Sequence, residues 1–367
     1  MKTFLLISPK NRTVYNFRGD LIREIKKREY EVWVTGPNRI LVDEVEALGV
    51  RFVEIPMKKN GINPVADLQY LWRLWQLMRR IHPDVTLGYT IKPVIYGAIA
   101  ARMAGVKNVN SMVTGAGYLF TADTVKAKIL RWVGIMLYRI GFACAEHVIF
   151  QNHDDLTEFT STGMVRLQKC HVVNGSGVNM EHFTLVPLPK QMTFFMLSRA
   201  LFSKGVREYL AAARIVKKKF PTVRFMYLGA VETMPDALSQ AEVQNYVDDG
   251  TIDYYGETTD VRAYTAQCSV YVLPSYREGT PRTVLEAMAM GRAIITTDTQ
   301  GCRETVRVGV NGFLVPVKDI DALAERMEWF IHHPDAVETM GRASRDYCTE
   351  KFDVVKVNQQ MIIICCI

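Results

Sequence analysis

Apolar positions along the chain follow two alternating patterns. Short apolar blocks, such as FLLI at Phe4–Ile7 and VWV at Val32–Val34, read as strands buried on both faces. Longer stretches with apolar residues at helical spacing separate them. In the first half, MKTFLLIS predicts a strand. A helix follows around Phe17–Arg28, with Asp20, Arg23, Glu24, Lys27 and Arg28 mostly exposed. EVWVTGP predicts a strand, ILVDEVEALG a helix closed by Gly49, and RFVEIPM a strand. VADLQYLWRLWQLMRRIHP predicts an amphipathic helix ending near His82-Pro83, DVTLGYT a strand, and PVIYGAIAARMAG a helix stopped at Gly105.

The second half restarts the pattern. MTFFMLSR, VRFMYLG, Ile252–Tyr255, SVYVLPS and AIITTD read as strands. Gly205–Phe220, Val261–Gln267, PRTVLEAMAMG and Ala322–Ile331 read as helices. Strands alternating with helices imply parallel, doubly wound α/β sheets. The two-proline segment LVPLPKQM is the expected linker. The expected layout is an N-terminal domain over 1–186, a C-terminal domain over 187–345, and a last helix over 346–367 packing back on the first. Both domains are read as Rossmann-like, facing across a cleft, with ligands beyond the carboxyl ends of the strands.

The 367 residues suit two domains, and 49% are apolar and 23% charged, as in globular proteins. The net charge of +7 is uneven. Residues 1–170 hold 24 Lys and Arg against 15 Asp and Glu, whereas the remainder is slightly acidic. A basic half can serve nucleic acid, anionic lipid or a phosphorylated substrate. Seven cysteines without C-x-x-C spacing read as reduced thiols of a cytosolic protein. No charge-free run is long enough to span a bilayer; the longest, from Trp132, is interrupted by Arg139.

The densest chemistry lies in SYREGTPRTVLEAMAMG. The loop after strand SVYVLPS leads into a helix, with Thr280 expected as N-cap and Pro281 as the first helical residue. Such a helix start attracts phosphate, and Gly279 lets the backbone approach it. Glu278 lies at the mouth and Glu286 over a turn into the helix. Carboxylates repel phosphate but accept hydrogen bonds from hydroxyls. Two of them flanking a phosphate site suit a nucleotide-sugar, with ribose and hexose on either side of a diphosphate. Glu286 reads equally well as a solvated helix residue.

This stretch resembles the E-x7-E motif of retaining glycosyltransferases of family 4, the group 1 glycosyltransferases, which have the GT-B fold. The resemblance extends through GRAIITTD, GCRETV and NGFLVPVKD. SRALFSKGVREYL is similar to the family's R-x4-KG segment, and NGSGVNMEHF to its N-G-V-D/N segment before the linker. The resemblance implies that Arg199 and Lys204 hold the donor diphosphate and stabilise the leaving group. It implies that Glu286 accepts from the ribose, that Glu278 touches the donor sugar, and that the Gly279–Thr280 backbone lies near the phosphates. Glu278, Lys204 and Arg199 are thus the expected catalytic set. The donor is expected to be a UDP-sugar, with neither cofactor nor metal. Asp319-Ile320-Asp321 has D-x-D form, but it precedes a helix and reads as capping.

In the first half, TLGYTIKPVIYGAIAARMAGV and VTGAGYLF resemble members that act on polyprenyl-diphosphate-linked sugars in bacterial surface-glycan assembly. Enzymes adding an N-acetylhexosamine, often GalNAc, are the most similar group. Lys92 is the candidate for the acceptor's diphosphate. The segment with Leu71, Trp72, Trp75, Arg73, Arg79 and Arg80, and a second with Lys126, Lys128, Arg131, Trp132 and Arg139, suit an anionic membrane surface. The expected location is the cytoplasm, peripheral on the inner membrane. The closing MIIICCI reads either as a helix turn on the first domain or as a lipid-touching tail.

The chain departs from the pattern after its first strand. Many members carry a glycine pair there, and this chain reads SPKNRTVYNF. No histidine among His82, His147 and His153 matches a family motif, so none is assigned. The competing readings are a UDP-sugar epimerase of the same fold, which needs further acid–base groups, and a nucleic-acid-binding protein. The latter lacks a basic–aromatic RNA motif. A dinucleotide enzyme would rest on GAGYLF, which lacks the third glycine and the downstream acid.

Overall fold

The computed structural model describes residues 1–57, 63–115, 125–234 and 236–367, with side chains described from 131 onward in the helix that begins at 125. The chain forms two compact units, Met1–Gly177 with Val354–Ile367, and Val178–Asp353. The division falls at Gly177–Val178, so the expected linker around 186–187 lies inside the second unit.

In the first unit the strands are β1 (Thr3–Ile7), β2 (Glu31–Gly36), β3 (Arg51–Glu54), β4 (Val85–Tyr89), β5 (Asn108–Val113), β6 (His147–Phe150) and β7 (Cys170–Val172). They form one parallel sheet in the order β3-β2-β1-β4-β5-β6-β7. Both faces are covered, which is why β1 and β4 are buried at every position. The helices are α1 (Asn11–Lys26), α2 (Val42–Glu46), α3 (Pro64–Ile81), α4 (Ala98–Met103), α5 (Val125–Cys144) and α6 (His153–Ser161). One core joins α3, α4 and α5 to one face of the sheet. A second joins α1 to the other face.

Local signals set the ends of α3. The Asn63 side chain accepts from Ala66 N at 3.2 Å, Pro64 takes the first turn, and His82 closes the helix in a left-handed conformation. Inside it, Tyr70, Leu74, Leu77 and Met78 recur at helical spacing and are buried. A π-helical turn, Pro93–Gly97, precedes α4.

Lys92 sits immediately before that turn, and here the structure corrects an expectation. Its ammonium is buried and lies 2.7 Å from Asp67 Oδ1, and Asp67 also accepts from the Tyr96 hydroxyl at 3.3 Å. The charge expected to meet an acceptor diphosphate is already paired inside the unit.

The second unit contains β8 (Thr193–Leu197), α7 (Val206–Lys219), β9 (Arg224–Leu228), α8 (Gln240–Asp248), β10 (Asp253–Tyr254), α9 (Arg262–Thr265) and β11 (Val270–Leu273). It continues with α10 (Arg282–Ala289), β12 (Ala293–Thr297), β13 (Gly312–Val315), α11 (Ile320–His332) and α12 (Pro334–Tyr347). Its parallel sheet runs β10-β9-β8-β11-β12-β13. Asp319 is the N-cap of α11, accepting from Ala322 N at 2.9 Å, as its sequence context implies. The buried Arg292 guanidinium donates to the carbonyls of Thr265, Ala266 and Pro187, and so ties the end of α9 to the segment leading into β8.

The last helix, α13 (Val354–Ile364), belongs to the first unit and packs on α1. Met361, Ile362 and Cys365 are buried there, and Asn108 Nδ2 donates to the Cys365 carbonyl at 2.7 Å. Most of the MIIICCI stretch is therefore part of a core, although Ile363 is exposed.

Asp67→Ala would leave the Lys92 ammonium buried and unpaired, at a cost of about 3–5 kcal/mol. Denaturant unfolding should show that loss, and Asp67→Leu with Lys92→Met should recover most of it. Asp67→Ala at wild-type stability contradicts a buried, mutually dependent pair.

Candidate active site

In the second sheet β8 and β11 are neighbours, with β9 and β10 beyond one and β12 and β13 beyond the other. Chain direction around the sheet reverses between them, and such a switch point opens a crevice at the carboxyl strand ends. The R-x4-KG and E-x7-E segments leave the sheet at these two strands.

After β8 the chain passes Ser198 and Arg199, makes a 3₁₀ turn at Phe202–Lys204, and enters α7 through Gly205. Gly205 has φ 72°, and a Cβ there would lie 2.0 Å from the Pro274 carbonyl oxygen, so only glycine fits. Pro274 belongs to the loop after β11. The contact is reinforced by the Ser203 carbonyl, which accepts from Tyr276 N at 2.9 Å and from Ser275 Oγ at 3.2 Å.

These contacts bring Lys204 and Glu278 together. Lys204 Nζ lies 2.5 Å from Glu278 Oε1, with the side chains 23% and 16% exposed. From the loop after β9, Asp236 accepts from both the backbone N–H and the hydroxyl of Ser203, steadying the turn that carries Lys204. Arg199 pairs with Glu232 of the same loop at 3.0 Å and is half exposed. The loop after β12 closes the other side. Glu278 N donates to the Gln300 carbonyl at 3.2 Å. Gly301 has φ 73°, and a Cβ on it would lie 2.2 Å from the Gly279 carbonyl oxygen.

The helix start differs from expectation. α10 begins at Arg282, and Pro281 is its N-cap, with an extended ψ of 106°. The Pro281 carbonyl accepts from Val284 N at 3.1 Å and Leu285 N at 3.3 Å, so the capping position lies one residue after Thr280. Gly279 and Thr280 occupy the loop between Glu278 and that start.

Glu286 is not a solvated helix residue. It is 13% exposed and pairs with Arg282 at 3.1 Å. Burial pushes its carboxyl above the ordinary carboxylate value, and Arg282 opposes that shift. The structure therefore places Glu278 on Lys204 and Glu286 on Arg282, two separate pairs. Gly301, Asp236 and Glu232 were not singled out in the sequence. Only the GCRETV match hinted at Gly301, and the two acids lie in a loop without a motif.

At the carboxyl strand ends of the first unit, SPKNRT places hydroxyls where a glycine pair is common. Ser8 Oγ and Thr13 Oγ1 lie 2.7 and 2.9 Å from the Tyr89 hydroxyl. These groups sit between β1 and β4, the switch point of that sheet. His82 caps α3, His147 hydrogen-bonds His171 at 3.0 Å, and His153 opens α6. GAGYLF beyond Gly115, and the side chains of Lys126 and Lys128, lie outside the described residues.

Residues 4–152 match the model of the glycosyl transferase 4-like family, and residues 191–333 that of glycosyl transferases group 1. The chain belongs to the group 1, 4-like glycosyltransferases. It is 26% identical over 335 residues to the N,N'-diacetylbacillosaminyl-diphospho-undecaprenol alpha-1,3-N-acetylgalactosaminyltransferase of Campylobacter jejuni, covering 88% of this chain and 87% of that one. It is 25% identical over 325 residues to the UDP-Gal:alpha-D-GlcNAc-diphosphoundecaprenol alpha-1,3-galactosyltransferase of Escherichia coli, covering 84% and 81%. Among solved structures, HepE of Anabaena in complex with UDP superposes with a TM-score of 0.79 at 18% identity, over 99% of each chain. That likeness establishes the GT-B fold for this glycosyltransferase.

Two outcomes test this geometry. Gly301→Ala should cost at least about 1 kcal/mol, because a side chain must form at positive φ against a carbonyl. Thermal unfolding checks it, and an unshifted Tm contradicts the close approach. The raised Glu286 value has a definite sign. The folded state holds that proton more tightly than the unfolded one. The associated stability is full below the unfolded value of 4.5 and is lost as pH rises through the higher folded value. Gln does not titrate, so Glu286→Gln should gain stability relative to wild type as pH rises through that window. Unfolding curves across pH that show a constant difference contradict the burial effect.

Proposed function

We propose that this glycosyltransferase moves a hexose or N-acetylhexosamine, GalNAc above the others, from a UDP-sugar to a polyprenyl-diphosphate-linked sugar. The configuration at the anomeric carbon is retained, and the product serves bacterial surface polysaccharide synthesis. The carrying observation is the partly exposed Lys204–Glu278 pair at the β8–β11 switch point. Its cation suits a diphosphate and its carboxylate suits sugar hydroxyls.

The donor diphosphate takes Lys204 away from Glu278 and draws in Arg199. Glu278, released, accepts from hydroxyls of the donor sugar, and Glu286 accepts from the ribose. Gly279 and Thr280 offer backbone beside the phosphates. The acceptor hydroxyl attacks the anomeric carbon on the face from which the diphosphate leaves. The C–O bond to UDP breaks as the new glycosidic bond forms, and a phosphate oxygen takes the hydroxyl proton. Lys204 and Arg199 offset the charge that builds on the leaving oxygen.

The names of the two relatives support the acceptor class, since both carry a diphospho-undecaprenol sugar. Both also specify an alpha-1,3 product. A donor with an α-linked diphosphate gives that product with retention. Their donor sugars differ, N-acetylgalactosamine in one and galactose in the other, so the donor sugar is the finest part of this proposal. An enzyme using such an acceptor works at the cytoplasmic face of the inner membrane.

Lys204→Ala should lower kcat/KM by about 100-fold or more, as loss of a transition-state charge contact does. The assay is UDP release from a panel of UDP-sugars with and without a synthetic polyprenyl-diphosphate sugar, with product configuration read by NMR. Release that does not depend on acceptor, or a β-linked product, contradicts this reading.

A further inference from the structure

Glu208 is the third residue of α7, and the proposed transfer leaves it without a task. It is 8% exposed, and its Oε2 atom is buried and meets no partner among the described residues. A buried acceptor without a partner is costly. Two ordinary local uses of such a carboxylate are not made. A glutamate in the first turn of a helix can accept from the N-cap amide, but here Gly205 N donates to the Phe202 carbonyl at 2.9 Å. The adjacent cation, Arg207, pairs with Glu242 at 2.6 Å and lies over the Phe202 ring.

Its Oε1 atom accepts instead from the Tyr276 hydroxyl at 2.6 Å, a short bond of the kind a phenol makes to a carboxylate. Burial, and after it the Glu208 carboxylate, push that hydroxyl above its ordinary value, so it remains a donor. Tyr276 stands two residues before Glu278 in the loop after β11. Its amide donates to the Ser203 carbonyl at 2.9 Å. Backbone and side chain of this one residue thus tie the glutamate loop to the start of α7. Lys318, in the loop before α11, lies over the ring, 5.1 Å from its centroid.

We infer that Glu208 and Tyr276 are positioning residues that hold the glutamate loop in place once Lys204 leaves Glu278 for a diphosphate. The inference rests on the use proposed above for that ion pair. At rest Lys204 itself holds Glu278, at 2.5 Å. A ligand that takes the lysine removes this contact just when the carboxylate has to meet a sugar. The Tyr276–Glu208 bond shares no atom with the Lys204–Glu278 pair, so it survives the exchange. A displacement of about 1 Å at reacting groups can cost about 100-fold in rate. A tether two residues from Glu278 therefore bears on turnover without touching substrate.

The test removes both partners of the bond in the full chain. Glu208→Leu with Tyr276→Phe leaves no orphaned polar group, so thermal unfolding should stay near wild type. Hydrogen exchange of the loop amides from 275 to 280, read by mass spectrometry, needs no substrate. In Lys204→Ala those amides should exchange within about threefold of wild type. Adding Glu208→Leu and Tyr276→Phe to Lys204→Ala should speed their exchange by about tenfold or more. With Lys204 intact, the Glu208→Leu, Tyr276→Phe chain should lose kcat for sugar transfer by about tenfold while its UDP affinity stays within about twofold. A merely structural role would lower Tm and UDP affinity together. Glu208→Gln still offers the phenol an oxygen and should keep most of the wild-type kcat. Loop amides set free by Lys204→Ala alone overturn the inference, as does wild-type exchange when all three substitutions are present. A wild-type chain that transfers no sugar to any lipid-linked acceptor overturns the proposed function, and the exchange rates still decide this inference.

Discussion

The candidate site depends on how closely two loops approach each other at a sheet switch point. Gly205, in a left-handed conformation, leaves a Cβ-sized space that the Pro274 carbonyl occupies. Gly301 does the same for Gly279 on the other side of the glutamate loop. With backbone fixed against backbone, Lys204 and Glu278 are held in contact before any ligand arrives. The backbone that carries both side chains is then settled during folding, and a charged ligand has only to part the ion pair.

The two units treat buried charge differently, and the contrast separates scaffold from site. Lys92 and Asp67 have side chains 10% and 6% exposed. That pair is sealed, and a ligand cannot compete for either member. Lys204 and Glu278 are two to three times more open, so a diphosphate can displace the carboxylate without leaving a bare buried charge. Glu286 is an intermediate case. Burial makes its ionised form costly, and Arg282 answers only part of that cost. A carboxylate in such surroundings gains from neutral hydroxyl donors, the groups a ribose presents.

Period-2 and period-3.6 patterning was enough to read the strands and helices that are sealed or cleanly amphipathic. MTFFMLSR, SVYVLPS and AIITTD became β8, β11 and β12, and the long α3 lay where its apolar spacing put it. The tract from about 106 to 172 was harder to read. β5 mixes Asn and Ser into its buried positions, with Asn110 donating to the Thr86 carbonyl, and β7 is three residues long. Pattern rules see too few apolar residues in such pieces. The division between units was placed too late, because two prolines near 187–189 look like a linker when the crossing is actually at a glycine pair around Ser176. At the site, motif spacing pointed to Lys204, Glu278 and Glu286, but not to their partners. Pairings such as Lys204–Glu278 and Ser203–Asp236 depend on strand order, which no local pattern encodes. Lys92 was misplaced for the same reason, since its partner Asp67 lies on a different helix.

In the proposed mechanism Lys204 belongs to the diphosphate and Glu278 to the sugar, and their pairing is a resting state. Calorimetric titration of UDP into Lys204→Ala and Glu278→Ala tests this most directly. Lys204→Ala should lose most UDP affinity. Glu278→Ala, with its lysine no longer engaged, should bind UDP at least as tightly as wild type. Equal UDP affinity in all three proteins, or a loss confined to Glu278→Ala, would contradict it.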